Sequence, residues 1–122
     1  MKRKHIFIVV TLFIFLCLGT CNIPITQTSV VGTYVNTNYA IEPFVAEIPY
    51  VADTLILKDN GTFSSGYYGD GIYEISATEI SLTYDYEMGK ASFDALFRNK
   101  IFASTKIMLN SDMNHYYEKI SE

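Results

Sequence analysis

The sequence predicts an all-β domain, an eight-stranded antiparallel up-and-down barrel, behind a cleaved export leader. Three observations carry that expectation. Turn signals recur about every ten residues from Asp53 onward, the spacing of short strands joined as hairpins. Apolar and polar residues alternate between the turns, as they do along a strand with one buried face. After the leader, all 10 tyrosines, five phenylalanines and no tryptophan remain, enough aromatic area for a core without disulfides.

The leader comes first. Lys2-Arg3-Lys4 is a basic start, residues 6–18 (IFIVVTLFIFLCL) are apolar apart from Thr11, and Leu18-Gly19-Thr20-Cys21 ends the run at small residues and a cysteine. That is a secretory signal. A membrane-spanning helix needs about 20 apolar residues, and this run is shorter. A permanent single-pass anchor is therefore the weaker reading beside a cleaved leader. Cys17 would leave with the leader, so Cys21 is the only cysteine of the processed chain and no internal disulfide can form. Either Cys21 is modified or it is a free thiol on a frayed tail.

The processed chain divides simply. Residues 21–29 are polar, contain Pro24 and read as a tether; residues 30–122 form one domain. The first strand is expected over residues 30–36. Residues 53–58 (DTLILK) place Leu55 and Leu57 on one face. Asp59-Asn60-Gly61 is a hairpin turn, because Asn-Gly tolerates positive φ. Residues 62–68 follow, with Phe63 and Tyr67 on one face, and Gly69-Asp70-Gly71 reads as the next turn. Residues 72–76 form a strand, and Ala77-Thr78 a turn. Residues 79–86 are the cleanest strand: Ile80, Leu82, Tyr84 and Tyr86 face one way, Glu79, Ser81, Thr83 and Asp85 the other. Residues 91–97 put Ala91, Phe93, Ala95 and Phe97 on one face, although Ala and Leu also favour a helix there. Strands over 101–109 and 114–120 complete the eight. The 37–52 connection is long and carries Tyr39, Phe44, Val45, Ile48 and Tyr50, so it is expected to fold back over one barrel mouth.

Charge narrows the partners. The leader holds three of the nine Lys+Arg, so the processed chain carries 6 against 13 Asp+Glu, a formal charge of −7. That argues against nucleic acid, and against direct adhesion to anionic lipid headgroups.

Two resemblances add to this reading. Leu18-Gly19-Thr20-Cys21 resembles the bacterial lipoprotein processing site, with Thr20 where Gly or Ala is usual. The resemblance implies a diacylglyceryl group on Cys21, cleavage before it, and a further acyl chain of the palmitate type on the new amine. Two or more chains give stable anchoring where one does not. Asn22 in place of Asp implies sorting to the outer membrane in a diderm host. Gly32-Thr33-Tyr34, a long first loop and a meander of hairpins resemble the lipocalin-like barrels of small envelope lipoproteins, with Tyr34 at the usual Trp position. The usual closing helix and arginine are not identifiable. Members of that group mostly bind small apolar or amphipathic molecules, and some bind proteins or inhibit enzymes.

No residue set reads as catalytic. His115 is the one histidine after the leader, too few for a zinc site of His and Cys type, and reads as an ordinary strand residue. No nucleophile-elbow pattern is present. Asp85 and Glu87 share a strand face, but near a turn of an acidic chain they read as solvated rather than as an acid–base pair. Asp59-Asn60-Gly61 lacks the ligands of a calcium loop. The expectation is a non-enzyme without metal or cofactor. Two functions stay open. The barrel could hold a small apolar ligand among Tyr34, Phe44, Phe63, Tyr67, Leu82, Tyr84, Phe93 and Phe97. Alternatively the barrel is solid, and the long loop or exposed members of the pairs Tyr67-Tyr68, Tyr84/Tyr86 and Tyr116-Tyr117 dock an envelope protein.

Overall fold

The structure, a computed structural model, describes residues 2–20, 23–36, 49–100, 103–110 and 114–122. Helix α1 (Lys2–Thr20) holds the apolar amino-terminal run. Among the described residues no helix is long and apolar enough to cross a membrane. Cys21, Phe44 and residues 37–48 of the long connection lie outside the described residues.

Eight strands follow a short helix, α2 (Gln27–Val30): β1 (Gly32–Asn36), β2 (Thr54–Leu57), β3 (Thr62–Ser65), β4 (Gly69–Ser76), β5 (Glu79–Tyr86), β6 (Gly89–Arg98), β7 (Lys106–Asn110) and β8 (His115–Ser121). Each pairs antiparallel with the next, and β8 returns to β1 with Val35 opposite Glu118, so the barrel closes and leaves no sheet edge. The expected architecture is present. The helical alternative for residues 91–97 is not: β6 runs through them in register with β5, Leu82 opposite Phe93.

One side of every strand fills the interior. Tyr34, Leu55, Leu57, Phe63, Ile80, Leu82, Phe97, Ile107 and Tyr117 are each no more than 1% exposed. Any water-sized space beside them would count as exposed surface, so these side chains fill the barrel themselves, as a small eight-stranded barrel allows.

Two local readings are corrected. The β3–β4 turn is Gly66–Tyr68, three residues ahead of Gly69-Asp70-Gly71, which belongs to β4. Packing decides this: Gly71 must sit opposite Phe63 on β3, and a turn at Gly71 would break that pair. The seventh strand begins at Lys106, five residues later than expected. At Asp59-Asn60-Gly61 the expected turn forms, but only Gly61 takes positive φ (81°). Lys58 N donates to Thr62 O at 2.9 Å, which makes a three-residue loop with glycine in the left-handed position.

The segment that reads as a tether is docked from Ile23 onward. Ile23 N donates to Asn99 O at 2.7 Å, and Ile25 N to Ala77 O at 2.9 Å. Thr26 and Ser29 form a reciprocal capping box that starts α2. Val30 is fully buried, and its carbonyl accepts from the Tyr34 hydroxyl at 2.6 Å. Gln27 Nε2 donates to the Tyr73 hydroxyl at 2.8 Å, which in turn donates to Lys58 O. The amino-terminal segment thus stoppers the end of the barrel where the β2–β3, β4–β5 and β6–β7 connections lie. Apolar Ile25 and Val30 were the available signal, hidden among polar neighbours.

Candidate binding site at the barrel mouth

The opposite end carries the β1–β2 connection and the β3–β4, β5–β6 and β7–β8 turns. A buried polar cluster holds it together. Asp53, 7% exposed, stands just before β2. Its Oδ2 accepts from the Tyr117 hydroxyl at 2.5 Å and the Ser65 hydroxyl at 2.6 Å, and its Oδ1 accepts from Tyr67 N at 3.0 Å. Ser65 Oγ also accepts from Tyr67 N and Tyr68 N, both at 3.1 Å. Asn36 completes the cluster: its Oδ1 accepts from Asp53 N at 2.8 Å and its Nδ2 donates to Val51 O at 2.7 Å. One carboxylate therefore ties β2, β3, β8 and the Gly66–Tyr68 turn. Burial, and then the hydrogen bond to Asp53, push the Tyr117 hydroxyl well above the ordinary tyrosine range. It is a fixed donor and not an acid at any physiological pH.

On this cluster stands a chain of rings. Tyr50 meets Tyr67 edge-on at 6.1 Å, Tyr67 meets Tyr68 edge-on at 4.9 Å, and Tyr68 packs on Tyr84 at 5.0 Å and Phe93 at 5.1 Å. Tyr68 is 4% exposed; Tyr67, Tyr84 and Phe93 are half-buried. Beyond them the β5–β6 hairpin rises past the rim with Tyr86 51% and Met88 87% exposed. The mouth therefore runs from buried rings to an exposed apolar tip, and each ring pair adds about 0.5–1.5 kcal/mol beyond the area it buries.

Of the residues the sequence singles out, the structure brings Tyr67, Tyr84 and Phe93 together here. Phe63, Leu82 and Phe97 lie in the filled interior, and Tyr34 reaches the stoppered end through Val30. The expectation that one of Tyr67 and Tyr68 points out from a strand is corrected. Both lie on a turn, and Tyr68, the central ring, is the more buried. Asp53 and Asn36 escaped the sequence reading because their partners are 12 to 64 positions away. Asp85 pairs with Lys90 at 3.5 Å on the hairpin surface, both about three-quarters exposed. Among the described residues no group of three or more His, Cys, Asp or Glu is placed to hold a metal ion.

His115, at the start of β8, is fully buried, and among the described residues neither ring nitrogen has a hydrogen-bond partner. Burial lowers its pKa below the ordinary 6.5. An unfolded chain takes up a proton below pH 6.5 that the folded chain refuses. Stability is thus full above 6.5 and falls as pH drops from there toward the depressed folded value. His115→Leu removes two unsatisfied polar atoms and the titration together. It is expected to raise stability by about 1 kcal/mol at pH 7 and to flatten the loss below pH 6.5, read by urea unfolding at a series of pH values.

Comparison of the chain with protein-family models, with curated proteins and with solved structures finds no match.

Proposed function

We propose that this chain is a lipid-anchored protein of the cell envelope whose barrel is a non-catalytic binding module that docks a protein partner through its aromatic mouth. The filled interior carries this reading. Side chains no more than 1% exposed pack closely through the described interior, which favours binding on the outside. The mouth supplies rigid aromatic rings of the kind that give large contact area at low entropy cost, on a turn that Asp53 and Ser65 hold in place. The leader and Cys21 support the anchor, and the closed meander opening on Gly32-Thr33-Tyr34 supports kinship with lipocalin-like envelope lipoproteins. In a diderm host, Asn22 favours the outer membrane.

A photo-crosslinking residue placed at Met88 in intact envelopes tests the docking. A discrete crosslinked species that disappears on Tyr86→Ala is expected. Recovery of monomer alone would count against it. The half-buried Tyr67, Tyr84 and Phe93 favour one second reading, a small apolar ligand resting on the mouth. That reading expects a molecule co-purifying with membrane-extracted protein and lost on Tyr84→Ala. The intact mass of the same sample reports the acyl chains on Cys21.

A further inference from the structure

The formal charge of −7 over residues 21–122 is not evenly spread. Residues 23–97 hold two of the six Lys+Arg and ten carboxylates; residues 98–122 hold Arg98, Lys100, Lys106 and Lys119 against three carboxylates. Arg98 on β6 and Lys106 on β7 are direct register partners on the outer face. Like charges directly opposite in a sheet destabilise it, so the fold maintains this pair at a cost. With Lys100, Ala103 and Ser104 they line a cleft of about 130 Å³. Ala103 and Ser104 also border a neighbouring cleft of about 400 Å³, reached by Lys119. Lys106 lies 4.7 Å from the Tyr116 ring centre, and Lys119 is engaged by Ser29 O and Glu122. Arg98, Lys100 and Lys106 make no ion pair among the described residues.

The position of this cleft gives it meaning. Ile23 is bonded to Asn99, the residue between Arg98 and Lys100. Chain length alone keeps Cys21 within about 7 Å of Ile23. Three cations, faced among the described residues by a single carboxylate, Glu118, directly opposite Lys106 on β8 and bonded to Ser104, therefore stand beside the residue on which Ile23 is docked.

We propose that Arg98, Lys100 and Lys106 bind the phosphate of an anionic phospholipid in the membrane that holds the chain. They orient the barrel so that its stoppered end faces the lipid and its aromatic mouth faces away. The inference rests on the anchored reading above. Each cation near an anionic surface adds attraction that salt screens. The acidic remainder of the domain is repelled, which sharpens the orientation.

The test uses the full anchored chain in phosphatidylglycerol or phosphatidylcholine vesicles, with amine labelling of each lysine read by mass spectrometry. Lys100 and Lys106 are expected to label at least about threefold more slowly on phosphatidylglycerol, with the difference lost near 1 M salt, where screening acts over about 3 Å. Lys58 and Lys90 should not change. Arg98→Gln should restore labelling of both lysines without lowering the urea midpoint. Equal rates on the two lipids would overturn the proposal. So would equal protection by inorganic phosphate on phosphatidylcholine, which would make the cleft a site for a soluble anion. Flotation with phosphatidylcholine vesicles at high salt reads the anchor separately. A chain that does not float overturns the anchored reading alone, and the same labelling with added phosphatidylglycerol vesicles still decides the cleft.

Discussion

Asp53→Ala is expected to destabilise the protein by about 3–4 kcal/mol. The carboxylate accepts hydrogen bonds from the Tyr117 hydroxyl, the Ser65 hydroxyl and the Tyr67 amide, and all three donors lie where water reaches poorly. A hydrogen bond to a charged group contributes about 1.5–3 kcal/mol, and a donor left buried without a partner costs about 1–3 kcal/mol. Tyr67 N keeps Ser65 Oγ as an acceptor, and the Tyr117 hydroxyl keeps its contact with the Ser65 side chain. For a domain of this size the melting temperature should fall by about 4–8 °C per kcal/mol. Tyr117→Phe removes one of the three donors and leaves the carboxylate its other two, so it should cost less than half as much. The mouth should feel the change first. The Gly66–Tyr68 turn depends on Asp53 and Ser65, so near-ultraviolet circular dichroism of the tyrosines should weaken in Asp53→Ala at temperatures where far-ultraviolet signal is intact. Equal urea midpoints for Asp53→Ala and the parent would refute this account of the cluster.

Gly71→Ala is the second large effect. A Cβ on Gly71 would overlap the Thr83 carbonyl oxygen and lie 2.6 Å from Phe63 Cε1. Neither can move cheaply: Thr83 is in the β5 ladder, paired with Ile72 on one side and Ser92 on the other, and Phe63 is 1% exposed in the filled core. Alanine is otherwise the better strand residue. A loss of about 3 kcal/mol would therefore measure steric overlap against that preference. Phe63→Leu combined with Gly71→Ala should recover part of the loss, since it withdraws the ring atoms nearest the new methyl. A double variant no more stable than Gly71→Ala would place the whole clash on the Thr83 carbonyl.

Glu79 to Tyr86 shows how far a sequence can be read. Strict alternation fixed its strand, its register-independent faces and the burial of Ile80 and Leu82, because side chains on a strand must alternate. The same rule failed at Tyr67 and Tyr68, where the chain leaves the sheet and alternation no longer applies. It failed again at residues 23–30, whose polar composition hides two buried residues, Ile25 and Val30. The partners of this segment, Asn99 for Ile23, Ala77 for Ile25 and Tyr73 for Gln27, come from connections and strands far along the chain.

By itself the sequence determined the eight-strand meander, the acidic balance and the aromatic supply of the core. These depend on local periodicity, turn chemistry and composition, which act over a few residues. Only the tertiary structure decided that the described interior is closely packed, that Asp53 unites four segments at the mouth, and that three cations gather beside Asn99, where Ile23 is docked. Each of these depends on which distant strands become neighbours when the barrel closes.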